Sequence, residues 1–73
     1  MEKNDYDQLR DHLAETIKLA RIKAGLSQEA LALTAGVDRT YVSQLERGVA
    51  NPSLLILFRI AKALEADLKV SLS

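Results

Sequence analysis

The stretch Ser27-Gln28-Glu29-Ala30-Leu31-Ala32-Leu33-Thr34-Ala35-Gly36-Val37-Asp38-Arg39-Thr40-Tyr41-Val42-Ser43-Gln44-Leu45-Glu46-Arg47-Gly48 decides the fold. Ser27 is a good N-cap, because its hydroxyl can accept from an unpaired N–H of the first turn, and Glu29 complements the positive end of the helix dipole. A helix over about Gln28 to Ala35 then turns Leu31, Ala32 and Ala35 inward and stops at Gly36. Asp38 caps a second short helix, about Arg39 to Arg47, with Val42 and Leu45 as its inward pair and Gly48 at its end. Two short helices joined by a glycine-containing turn make a helix-turn-helix. Ala32 is small where the helices cross, Gly36 can take a positive φ cheaply, and Val37, Val42 and Leu45 plug the junction. A plain αα-hairpin in a structural bundle is the blander reading; the coincidence of several independent constraints weighs against it.

Working outward, Leu9, Leu13, Ile17, Ala20 and Ala24 recur in steps of four, four, three and four. That is one stripe of a helix from about Asp7 to Ala24, with Gly25 as a left-handed cap. Residues 1–6 read as a flexible polar lead. On the other side, Val49-Ala50-Asn51-Pro52 is a short loop, and Ser53 caps a helix of about Leu54 to Ala66 carrying Leu57, Ile60, Ala61 and Leu64 inward. From Asp67 to Ser73 polar and apolar residues alternate at every step, a strand signature. The expected architecture is all-α, a four- to five-helix domain over residues 7–66, followed by a short C-terminal β-strand over 67–73.

The chain has 73 residues, of which 48% are hydrophobic and 27% charged, so it can build a core, but only from aliphatics: the aromatics are Tyr6, Tyr41 and Phe58. A domain this small buries only about 60% of the surface its unfolded chain exposes, which leaves it marginal. With no cysteine, disulfides and thiolate metal sites are excluded, and His12 is the sole histidine. Oligomerisation is then the first route to added stability. An enzyme is the weakest reading. There is no glycine-rich phosphate loop, no second histidine beside His12, and Asp11 and Glu15 look like a solvated helix face, so neither cofactor nor metal is expected. The polar, acidic start lacks a secretory or transit pattern, and the run Leu54-Leu55-Ile56-Leu57-Phe58 is far short of the ~20 residues of a membrane span. A cytoplasmic protein with no membrane contact is expected.

From Arg21-Ile22-Lys23-Ala24-Gly25-Leu26-Ser27-Gln28-Glu29-Ala30-Leu31-Ala32 through Ala35–Gly48 and Asn51-Pro52-Ser53 to Ile60-Ala61-Lys62-Ala63-Leu64, the chain resembles the Cro and lambda-repressor-type helix-turn-helix domains, also called the xenobiotic-response-element family. Asp38-Arg39-Thr40-Tyr41-Val42-Ser43 is similar to a stretch of restriction–modification controller proteins, a subgroup of that family. The resemblance implies a lambda-repressor-like fold whose third helix enters the major groove of double-stranded DNA. Arg39, Thr40, Ser43 and Gln44 are then the base readers: Arg can grip guanine O6 and N7, Gln can bond adenine, and Thr can touch a thymine methyl. Gln28, Tyr41, Arg47 and Asn51 would contact phosphate, while Arg21 and Glu46 would form a structural salt bridge. One departure stands out. The family usually places Lys or Arg between Gly48 and Asn51; here Val49 and Ala50 stand, so either the monomer binds weakly and relies on dimer avidity or these two residues face a protein.

Leu55 and Ile56 occupy positions that relatives usually fill with polar residues, and Leu19 and Ile22 lie off the main stripe of the first helix. We read Leu55 and Ile56 as a homodimer contact, with the tail strand pairing across the two-fold axis through Leu68, Val70 and Leu72, as in some antitoxin members of the family. The expected function is a homodimeric, sequence-specific transcriptional regulator reading a pseudo-palindromic operator, of controller, prophage-repressor or antitoxin type. The alternative is a protein-interaction module of the same fold, such as a toxin-binding antitoxin with weak DNA affinity. Formal neutrality does not exclude DNA. Residues 1–17 carry Glu2, Asp5, Asp7, Asp11 and Glu15 against Lys3 and Arg10, so the acidic excess lies away from the expected reading helix with its Arg39 and Arg47.

Overall fold

A computed structural model describes residues 4–64 as four helices: α1 (Asp5–Lys23), α2 (Gln28–Ala35), α3 (Arg39–Glu46) and α4 (Leu54–Leu64). Each begins on a polar cap. Asn4 accepts from Asp7 N, Ser27 from Ala30 N, Asp38 from Thr40 N at 2.7 Å, and the Ser53 hydroxyl from Ile56 N at 3.2 Å. α1 therefore starts two residues before the expected Asp7, because Asn4 caps it and Asp5 and Asp7 supply acidic charge to its first turn.

The first three helices end alike. A glycine at positive φ (Gly25 at 74°, Gly36 at 72°, Gly48 at 74°) lets the next residue's N–H reach back to the final turn: Leu26 to Arg21, Val37 to Ala32 and Val49 to Gln44. Gly48 has a second reason to lack a side chain. A Cβ there would lie 2.8 Å from Oδ1 of Asp11, so that carboxylate would have to move, while the nearest α1 backbone atom, the Asp11 Cα, is 3.9 Å away.

The core gathers where all four helices meet. Ile17, Leu31, Val42 and Ile60 are fully buried and Leu45 nearly so, with Ala32 and Ala35 filling the close approach of α2 to its neighbours. Each of the large residues contributes about 1.5–3 kcal/mol. The expected α1 stripe is only partly placed inward. Ile17 is at its centre, Leu13 and Ala20 pack at the rim, Ala14 is buried instead, and Leu9 is 63% exposed. Leu9 lies on the edge of a shallow groove of about 140 Å³ shared with Tyr6, Arg10, Leu13, Pro52 and Leu57. Ala50 is also a core residue, 7% exposed, so it faces neither phosphate nor a second protein, whereas Val49 is exposed. The four helices satisfy the all-α expectation over the described residues; the expected strand with Leu68, Val70 and Leu72 lies outside them. No described helix is long and apolar enough to cross a membrane.

Candidate nucleic-acid interface

α3 is short, and eight residues make only about two turns of helix, too few to stand alone in water. Its orientation is imposed from inside. Val42 and Leu45 anchor one face in the core, and Glu46, its last residue, is held by three donors. Arg21 grips that carboxylate with both arms of its fork, Nε to Oε2 at 2.6 Å and Nη2 to Oε1 at 3.0 Å, while Gln28 Nε2 donates to Oε1 at 3.1 Å. The remaining arm of Arg21 donates to the Leu26 carbonyl at 2.8 Å. The pair is mostly buried, with side chains 13% and 3% exposed. The hydrogen bond and charge of Glu46 hold the Arg21 pKa above its ordinary value, against the opposing effect of desolvation. One polar node thus joins α1, the α1–α2 turn, α2 and α3, and the salt bridge expected from the sequence is present in bidentate form.

With its inner face fixed, α3 presents Arg39, Thr40 and Gln44 outward as exposed side chains, with Ser43 half-buried beside them and exposed Arg47 following as the C-cap. Asp38 keeps its carboxylate turned onto the helix start through the cap. The outward row therefore offers two guanidinium groups, an amide and hydroxyls, which is a donor-rich surface suited to base edges and phosphates. Tyr41 is half-buried against the core, and its burial pushes the phenol pKa above the ordinary 10.0. Gln28 and Asn51, both expected at phosphate, are engaged inside the chain. Gln28 gives an N–H to Glu46, and Asn51 Oδ1 accepts from the Tyr6 hydroxyl at 2.9 Å and Arg10 Nη1 at 3.1 Å. This last contact was invisible in the sequence: helical periodicity says which face of α1 Tyr6 and Arg10 occupy, but not that the Asn51 loop returns to meet them.

The surplus apolar residues also divide. Leu55 is exposed together with Leu54 and Phe58, while Ile56 is half-buried against the chain's own core. Leu19 and Ile22 are exposed on α1. Among the described residues no group of three or more His, Asp or Glu side chains could hold a metal ion.

A two-turn helix with a locked inner face and an outward row of donors, following a glycine turn, defines a helix-turn-helix domain. The comparisons agree: the helix-turn-helix family model matches residues 17–70, and the chain belongs to that family. It is 45% identical over 60 residues to a hypothetical transcription factor of Neisseria meningitidis serogroup B, covering 82% of this chain and 57% of that protein. The chain thus spans little more than half the length of that relative. Its fold is similar to that of the restriction-modification controller protein C.AhdI from Aeromonas hydrophila, with a TM-score of 0.80, 37% identity, and coverage of 82% of this chain and 91% of that one. The controller C.Esp1396I, whose crystal structure is a tetramer on its natural operator, matches with a TM-score of 0.77, 38% identity, and coverage of 80% and 76%. Other structures of that controller carry substitutions at an arginine, at the threonine after it and at the tyrosine after that.

Proposed function

We propose that the chain is a cytoplasmic, sequence-specific DNA-binding transcriptional regulator that works as a homodimer and reads a pseudo-palindromic operator with α3 of each copy in the major groove. The observation that carries this reading is the outward face of α3, where Arg39, Thr40 and Gln44 are exposed together on a helix whose other face is buried. Arg39, Thr40, Ser43 and Gln44 read bases; Tyr41, Arg47, Asn51 and the remaining N–H of Gln28 meet phosphate. The same residue types that were replaced one by one in C.Esp1396I stand in the same order here as Arg39-Thr40-Tyr41, which favours the restriction–modification controller type over prophage repressor or antitoxin. Leu54, Leu55 and Phe58, exposed at 68%, 57% and 59%, support a contact between copies across α4.

Selection of bound sequences from random duplex DNA at a stated salt concentration tests the function. Enrichment of two half-sites related by a two-fold axis is the expected outcome, about one helical turn apart. Failure to enrich any sequence would leave the fold acting as a protein-interaction module.

A further inference from the structure

Asn51 lies in the loop that leaves α3, next to Pro52, and an asparagine amide can face a neighbour with either its oxygen or its nitrogen. Here that choice is made by α1. Oδ1 accepts from the Tyr6 hydroxyl at 2.9 Å and from Arg10 Nη1 at 3.1 Å, which uses both lone pairs of the oxygen. An amide nitrogen in that place would face the Arg10 N–H donor to donor, whereas the Tyr6 hydroxyl can donate or accept, so Arg10 sets the orientation and Tyr6 reinforces it. The oxygen is thereby taken up by α1, and Asn51 itself is exposed, which leaves the two protons of Nδ2 for a group outside the chain.

Arg10 is itself held in place. Nη2 donates to Asp7 Oδ1 at 3.2 Å, its guanidinium sits 5.6 Å from the centre of the Tyr6 ring, and the side chain is only 25% exposed. The clamp thus consists of one turn of α1 gripping a loop residue 41 positions away. It also brings a guanidinium to the 49–52 stretch, where Val49 is apolar and Ala50 is buried in the core.

We propose that Tyr6 and Arg10 are positioning residues for DNA binding: they hold the Asn51 amide so that its nitrogen donates to a backbone phosphate beside the reading helix. The inference rests on the DNA-binding reading above. It assigns a role to the start of α1, which otherwise carries only acidic charge and an exposed Leu9. Tyr6 acts through Asn51 and touches no DNA itself.

A double-mutant cycle on the full chain tests this, with affinity for a pool of mixed-sequence duplexes measured well below the unfolding midpoint of every variant. Tyr6→Phe removes one hydroxyl and changes no charge. Its expected effect is a loss of affinity of about three- to tenfold in the unaltered chain, the worth of one hydrogen bond. In an Asn51→Ala background the same substitution should have no effect. Arg10→Gln should weaken binding in the unaltered chain, and Arg10→Lys should recover most of it. Equal losses from Tyr6→Phe in both backgrounds, or no loss in the unaltered chain, would overturn the positioning role while leaving DNA binding intact. If the unaltered chain bound no duplex at all, the DNA-binding reading itself would fail.

Discussion

α3 and α4 are built to the same plan and end with opposite surfaces. Each is started by a polar cap, Asp38 or Ser53, and each turns large aliphatics into the common core: Val42 and Leu45 from α3, Ile60 and Leu64 from α4. Outward, α3 carries Arg39, Thr40 and Gln44, whereas α4 carries Leu54, Leu55 and Phe58. The inner faces fix where each helix lies; the outer faces select what it meets. Donors and charge suit a polyanion, while adjacent exposed aliphatics and an aromatic ring suit a second apolar surface.

The largest effect on this division comes from the node that orients α3. Arg21→Ala leaves Glu46 buried without its main partner and should cost about 3–5 kcal/mol in urea unfolding, enough to unfold much of a domain this small. Arg21→Met combined with Glu46→Leu should recover a large part of that loss, because no charge is left stranded. If the single and double variants were equally unstable, packing rather than charge pairing would be what holds α3.

Next come the glycines that end the helices. Gly36→Ala places a Cβ in open space and should cost only the left-handed conformation, about 1–2 kcal/mol. Gly48→Ala meets the same conformational cost and also Asp11 Oδ1 at 2.8 Å, so its urea midpoint should fall further. Equal midpoints would show that the Asp11 carboxylate moves aside without cost.

The outer face of α4 should respond in association rather than in folding. Leu55→Asp is expected to shift the chain toward the monomer in analytical ultracentrifugation while changing the unfolding of the isolated domain by less than about 0.5 kcal/mol, the usual range for an exposed site. A dimer unchanged by this substitution would remove Leu55 from the interface.

The smallest effect concerns Tyr41. Its burial raises the phenol pKa, so folding favours the neutral form. That contribution is fully present below the ordinary value of 10.0 and is lost as pH rises through the higher folded value. In a Tyr6→Phe variant, phenolate absorbance should therefore appear at higher pH in the folded chain than in urea. Coincident titrations would place the Tyr41 hydroxyl in water.

What the sequence made legible follows the reach of local rules. Ser27, Asp38 and Gly36 act on backbone groups within a few residues, and the bounds of α2 and the start of α3 come out as read. The Arg21–Glu46 bridge was available only through family resemblance, since nothing local links residues 25 positions apart. Leu9 and Ala50 show the limit. Periodicity turns Leu9 inward, yet it is exposed at the edge of the groove it shares with Leu13, Pro52 and Leu57; Ala50 sits in a loop with no period, yet it is buried in the core. Ile56 was read as surplus from its position among relatives, though α4 leans far enough toward the core to half-bury it. Polar composition makes residues 1–6 look like a flexible lead, yet Asn4 caps α1, and Tyr6 and Arg10 are tied to Asn51. The Asn4 cap is a local contact, but for Ala50, Ile56, Tyr6 and Arg10 the deciding contact is tertiary.

The central claim is that the exposed row on α3 reads bases, and repeating the random-duplex selection with Gln44→Ala beside Arg47→Ala tests it most directly. Gln44→Ala should relax preference at one symmetric pair of positions, a discrimination worth about 1–3 kcal/mol, while Arg47→Ala should weaken all sites alike and preserve the preferred sequence. Uniform weakening by both substitutions, with the selected sequence unchanged, would contradict the assignment of α3 to base readout.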